Sequence, residues 1–220
     1  MTDAGPFERL RDGAGPLWAE FTGHAFVSGL GDGTLPAAAF RRYLTQDYLF
    51  LIQFARAYAL AGYKARRIAD LRAASDGCAA ILGELPLHVS FCAGWGLNEA
   101  AMANEPEAIE TVAYTRFVLD CGAAGDILDL YAALAPCVLG YADIGLRLAA
   151  RPVPGNPYAA WIATYAGPDY QAGADTTRDT LARLWAERGG DARAAALQAT
   201  FDTAVRLETA FWSMGWREGR

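Results

Sequence analysis

A carboxylate set among large apolar side chains is expensive to bury unless it is paired or hydrogen-bonded, and this sequence holds two. Asp47 lies in the run QDYLFLIQF. It is either an anchor for a ligand or a structural group satisfied by a neighbouring helix or by solvent at a rim. Glu208 lies in VRLETAFWSMGW, with Phe211 and Trp212 three and four residues on, so the three share one helix face. A carboxyl group against aromatic rings has its pKa raised and can exchange protons near neutral pH. The plainer alternative is a surface glutamate paired with Arg206. A third candidate is a thiol. Four cysteines occur, at 78, 92, 121 and 137, with no Cys-x-x-Cys pair among them. Cys137 follows Pro136, whose ring frees a backbone carbonyl and opens space in a helix, and Tyr141 stands one turn on. Free cysteines are more often inert and buried, and spacing alone does not choose among the four. Glu84 and His88, four apart, could share a metal or form a hydrogen-bonded pair on a helix surface or in the core.

The elements that must position these residues are helices. Pro6 opens a first helix carrying Phe7, Leu10, Leu17, Trp18, Phe21 and Phe26, and GLGDGTLP at 29–36 reads as a sharp break. Its glycines suit turns with positive φ, Thr34 can cap the next helix, and Pro36 sits near that helix's first turn. The second helix spans about 36–64 and carries Tyr43, Asp47, Phe50 and Phe54 on one face. Its segment 48–52 is apolar all round, which marks a central helix. Further helices are expected over about 66–94, 106–121, 126–150 and 191–219, the third of these N-capped by Asp126 and kinked at Pro136. Shorter ones are expected at 158–165, 168–173 and 175–189, with a loop from Trp95 to Pro106. Strand alternation, an internal repeat and a second core are all missing from the pattern. The expectation is one all-α domain over residues 1–220.

Bulk composition excludes several classes. The formal net charge is −6, and no basic cluster exceeds Lys64–Arg67. Nucleic-acid binding needs a positive footprint that this sequence lacks. The N-terminus has no apolar signal-peptide core, and no apolar run reaches the roughly 20 residues that span a bilayer. A soluble, cytoplasmic protein with reduced thiols follows. Ten tyrosines and six tryptophans suit a core, or a pocket for a flat ring.

Six ordered segments resemble the TenA/thiaminase II family: HAFVSGLGDGTLP (24–36), FRRYLTQDYLFLIQFAR (40–56), VAYTRF (112–117), LAPCVLGYADIG (134–145), WIATYAG (161–167) and LETAFWSMGW (207–216). They span nearly the whole chain. The resemblance implies a haem-oxygenase-like helical bundle, a homotetramer, no metal and no organic cofactor. It implies hydrolysis of an aminomethyl pyrimidine from thiamin breakdown to the hydroxymethyl pyrimidine, with thiamin itself a second substrate. Position by position, it makes Cys137 the nucleophile that adds to the pyrimidine ring and Glu208 the acid/base. Asp47 becomes the carboxylate that hydrogen-bonds the ring nitrogen and amino group. Tyr114 and Tyr165 line the site, Tyr165 near the cysteine, and Tyr141 and Phe50 form its aromatic walls. Two positions depart from the family pattern: Ala25 stands where proline is usual, and Phe50 where some members carry tyrosine, which removes a wall hydroxyl. Cys137 itself is retained, and a branch of the family lacks it. Two other classes compete. A di-iron oxidase on the same fold needs about two or three histidines with its carboxylates, and this chain has only His24 and His88. A non-catalytic regulator would need a basic surface for direct DNA contact.

Overall fold

The computed structural model describes residues 4–93 and 97–219; within these every regular element is helical. In order these are α1 (Pro6–Ala14), α2 (Pro16–Thr22), α3 (Ala25–Asp32), α4 (Ala37–Lys64), α5 (Ile68–Ala93), α6 (Glu99–Ala103), α7 (Ile109–Ala124), α8 (Ile127–Ala149), α9 (Ala159–Ala166), α10 (Pro168–Glu187) and α11 (Ala194–Glu218). A 3-10 turn, Asp191–Arg193, leads into α11.

Local chemistry sets the boundaries. The expected first helix is three: Gly15 adopts φ +40 and Pro16 starts α2, and then the His24 ring accepts the Phe26 N–H and caps α3. The 29–36 segment breaks later than expected. Gly29 and Gly31 are helical, and only Gly33 takes the left-handed conformation, φ +79, that ends α3. Thr34 does not cap α4. Its N–H and hydroxyl both go to Asp32, and Pro36 occupies the N-cap. The stretch expected as a loop after residue 95 contains α6, capped by the Asn98 side chain. The two helices expected over 168–189 are the single α10. Asp126 does cap α8, in a reciprocal box with Asp129.

Helix α4 is central, buried without a gap from Tyr43 to Leu51. It packs against α5, α7, α8 and α11. Helix α8 is the second core element and runs on through Pro136. By length and composition it is apolar enough to cross a bilayer, against the sequence expectation. Its most apolar 18 residues have a mean hydropathy of 1.5 and are 78% buried inside the fold. Gly145 on α8 lets α9 lie directly on it: a Cβ there would come within 2.6 Å of the Tyr165 backbone. Helix α5 is tied to α10 by an ion pair between the buried Asp70 and the half-buried Arg183.

Candidate functional site

Six helices deliver the candidate residues to one place. Asp47 and Phe50 come from α4, Tyr114 from α7, Cys137 and Tyr141 from α8, Tyr165 from α9 and Glu208 from α11. The sixth, α5, brings Glu84 and His88, whose role the sequence left open. Asp47 and Glu208 are 4% and 2% exposed, so the cost of burying both must be met inside the protein.

Each carboxylate has a specific partner. The Tyr114 hydroxyl donates to Glu208 Oε1 at 2.9 Å. Arg206, the alternative partner for Glu208, is exposed on the same helix. Burial pushes the Glu208 carboxyl up to about 8, against the opposing pull of the Tyr114 hydrogen bond. Asp47 Oδ2 lies 2.7 Å from His88 Nε2 in a buried pair. Burial opposes the imidazolium, but hydrogen bonding and charge from Asp47, with the Glu84 charge, outweigh it and raise the His88 pKa. Tyr165 does not turn to the cysteine; its hydroxyl donates to Glu84 Oε1 at 2.6 Å. Glu84 and His88 thus have separate side-chain partners, and no group of three metal-ligating side chains occurs among the described residues.

Cys137 is half-buried. Burial, followed by the charges of Glu208, Asp47 and Glu84, pushes the thiol well up from its ordinary range. Cys92 and Cys121 are also raised, to about 11, but mainly by burial and with none of these three carboxylates among the causes. What separates Cys137 is its ring of carboxylates.

Aromatic rings close the site. Phe50 packs on Tyr114 and Phe211 at centroid distances of 5.1 and 5.6 Å. Tyr141 packs on Trp212 and Tyr165, both at 5.1 Å. Three buried polar atoms in this shell, Tyr43 Oη, Trp161 Nε1 and Trp212 Nε1, have no hydrogen-bond partner within the protein. Sequence reading placed Tyr43 on the Asp47 face but gave it and the two indoles no role. For Glu84 and His88 the available signal was their four-residue spacing inside an apolar helix.

A cavity of about 600 Å³ lies beside this cluster, between α4, α5, α8, α9 and α10. Cys137, Asp47 and Glu208 are not on its wall. Glu84 is, so that one carboxylate belongs to both spaces.

Residues 11–218 match the profile of the TENA/THI-4/PQQC family. The chain belongs to that family. An aminopyrimidine aminohydrolase of Halalkalibacterium halodurans is 35% identical over 218 residues, 95% of this chain and 94% of that protein. The crystal structure of a TenA family transcription regulator from Silicibacter sp. TM1040 superposes with a TM-score of 0.91 at 45% identity, covering 96% of each chain. A Shewanella denitrificans domain described as having a heme oxygenase-like fold superposes at 0.73 and 16% identity, covering 96% of this chain and 91% of that one. The fold is that all-α, haem-oxygenase-like bundle.

Proposed function

We propose that this protein hydrolyses 4-amino-5-aminomethyl-2-methylpyrimidine to its hydroxymethyl counterpart, releasing ammonia, with Cys137 as nucleophile. That the chain is an enzyme acting on C–N bonds follows from its aminohydrolase relatives in this family. The observation that carries the finer reading is the convergence of a thiol, three carboxylates and an aromatic shell in one buried site. A flat heteroaromatic ring needs such walls and a few polar anchors.

The chemistry balances as follows. The Asp47 carboxylate accepts an N–H from the ring's amino group and, when the ring is protonated, one from the ring nitrogen. Glu208, as carboxylate, accepts the Cys137 proton while Sγ adds to the ring carbon beside the one bearing the methylene. The electron pair pushed into the ring expels the exocyclic nitrogen, which takes a proton from Glu208 and leaves as ammonia. Water adds to the resulting methylene, its proton returns to the site, and the S–C bond breaks to restore the thiol. A pKa of about 8 suits Glu208 to alternate between base and acid. The thiolate forms only as Glu208 takes its proton, because the free thiol is held protonated. Thiamin is the second substrate in this reading. The homotetramer and the absence of a cofactor rest on the family resemblance alone.

Ammonia release from the aminomethyl pyrimidine tests this directly. Cys137→Ser is expected to lose at least about a hundredfold in kcat/KM. Full activity in that variant would remove Cys137 from the mechanism.

A further inference from the structure

Asp47 can grip a ligand only if the surrounding protein keeps it ionised and fixes its direction, because it is 4% exposed. Its carboxylate is paired with His88, itself 1% exposed. The contacts of that ring define its charge. Nδ1 lies 3.3 Å from the Glu84 carbonyl oxygen, one turn earlier on α5. A carbonyl only accepts, so Nδ1 carries a proton. Nε2 lies 2.7 Å from Asp47 Oδ2, a separation typical of a charge-assisted pair. An ionised carboxylate also only accepts, so Nε2 carries a proton as well. With both nitrogens donating, the ring is an imidazolium. His24 is built the opposite way: its Nδ1 accepts the Phe26 N–H, which leaves that nitrogen bare and the ring neutral.

We propose that His88 is a positioning residue: a buried imidazolium that holds Asp47 as an oriented carboxylate for the N–H groups of an aminopyrimidine. The assignment rests on the reading of Asp47 as the ring's anchor given above. Burial opposes the His88 cation, and Asp47 from α4 with Glu84 from α5 outweighs it. Tyr165, from α9, joins this group through Glu84, to which its hydroxyl donates. Helix α10 also packs on α5, but its ion pair to that helix, Arg183 with Asp70, sits at the other end. Without the cation a buried carboxylate takes up a proton. A carboxyl hydroxyl would then face an amino group that needs an acceptor. The Nε2 contact also fixes the plane of the carboxylate, so the acceptor is oriented before the ring arrives. Glu84 braces two sides of the site within one helical turn: its carbonyl orients His88 and its side chain receives Tyr165.

The chain has two histidines, so nitrogen-15 histidine labelling gives two ring systems, and His24→Gln or His88→Gln tells them apart by NMR. At about pH 7.5 the wild-type His88 ring is expected to show both nitrogens protonated, and His24, whose pKa burial lowers, only one. A neutral His88 ring would overturn the proposal, and this measurement needs only one of the two variants to fold. Affinity for the hydroxymethyl pyrimidine, read by calorimetric titration, is expected to fall about tenfold in His88→Gln, which keeps a donor and removes the charge. In ammonia release the loss should lie in KM, with kcat changed by less than about threefold, since Asp47 grips the ring before and during the addition alike. In an Asp47→Asn background the same substitution should change affinity by less than about twofold, because His88 acts through that carboxylate. Equal losses in the two backgrounds, or a loss confined to kcat, sink the positioning role. Wild type that binds the pyrimidine with this His88 dependence but releases no ammonia removes the hydrolase reading and leaves the positioning role standing. Wild type that binds no pyrimidine removes both.

Discussion

Replacing Tyr114 by phenylalanine removes one hydroxyl and keeps the ring that packs on Phe50 at 5.1 Å. That hydroxyl donates to Glu208 at 2.9 Å, and both groups are buried. A hydrogen bond to a charged group contributes about 1.5–3 kcal/mol, and one pKa unit corresponds to about 1.36 kcal/mol. Removing the donor destabilises only the ionised carboxylate. The Glu208 pKa should therefore rise from about 8 by roughly one to two units. If Glu208 must be a carboxylate to take the Cys137 proton, the acid limb of the kcat/KM profile moves up with it. At pH 7 the variant is then about 10–100-fold slower, and near pH 10 it approaches wild type. The assay is ammonia release across pH 6–10 for both proteins; the substrate amine titrates identically in each, so their ratio isolates the enzyme. A uniform loss at every pH, with the limb unmoved, would refute the assignment of that limb to Glu208.

Other outcomes follow from the same geometry. Glu208→Gln is expected to abolish most turnover and to stabilise the fold at alkaline pH. The folded pKa of Glu208 (about 8) lies above its ordinary 4.5, so the unfolded chain ionises first and stability falls as pH rises between the two, by at most about 5 kcal/mol. Melting temperatures at pH 5 and pH 8.5 check this: wild type should lose more than the variant over that interval. Asp47→Asn keeps the shape of the His88 contact and removes its charge; KM for the pyrimidine should rise about 10–100-fold, read by steady-state kinetics and by direct binding of the hydroxymethyl product. Gly145→Ala puts a methyl group 2.6 Å from the Tyr165 backbone. It should cost about 1–3 kcal/mol in denaturant unfolding and weaken substrate binding by displacing α9.

The helical plan was legible residue by residue. Pro6 and the Asp126 cap are local devices whose effect is felt within one turn, so their types announce them, whereas the equally local break at Gly15 and Pro16 went unread. Even so, position along the chain was misjudged where the competing partner was also local. Thr34 went to Asp32, and the 168–187 segment had nothing strong enough to stop it. The aromatic face of α11 was evident from spacing, and so was the central character of α4.

The sequence by itself determined the all-helical class, most helix limits, and the set of residues whose types could bind or attack a flat ring. Only the tertiary structure decided which of them act on one another. Glu84 and His88 could have faced solvent; packing of α5 on α4 turns them onto Asp47 and Tyr165, 41 and 81 residues away in the chain. Residue type and spacing left Cys137 one of four equivalent thiols and only the family resemblance picked it out; the fold sets the charges of three carboxylates against it. The reason is physical. Helix formation depends on neighbours within about four residues, whereas desolvation and charge coupling depend on distance through space. The protonation of Cys137 and Glu208, on which the proposed chemistry turns, belongs to the place these residues occupy and not to their type.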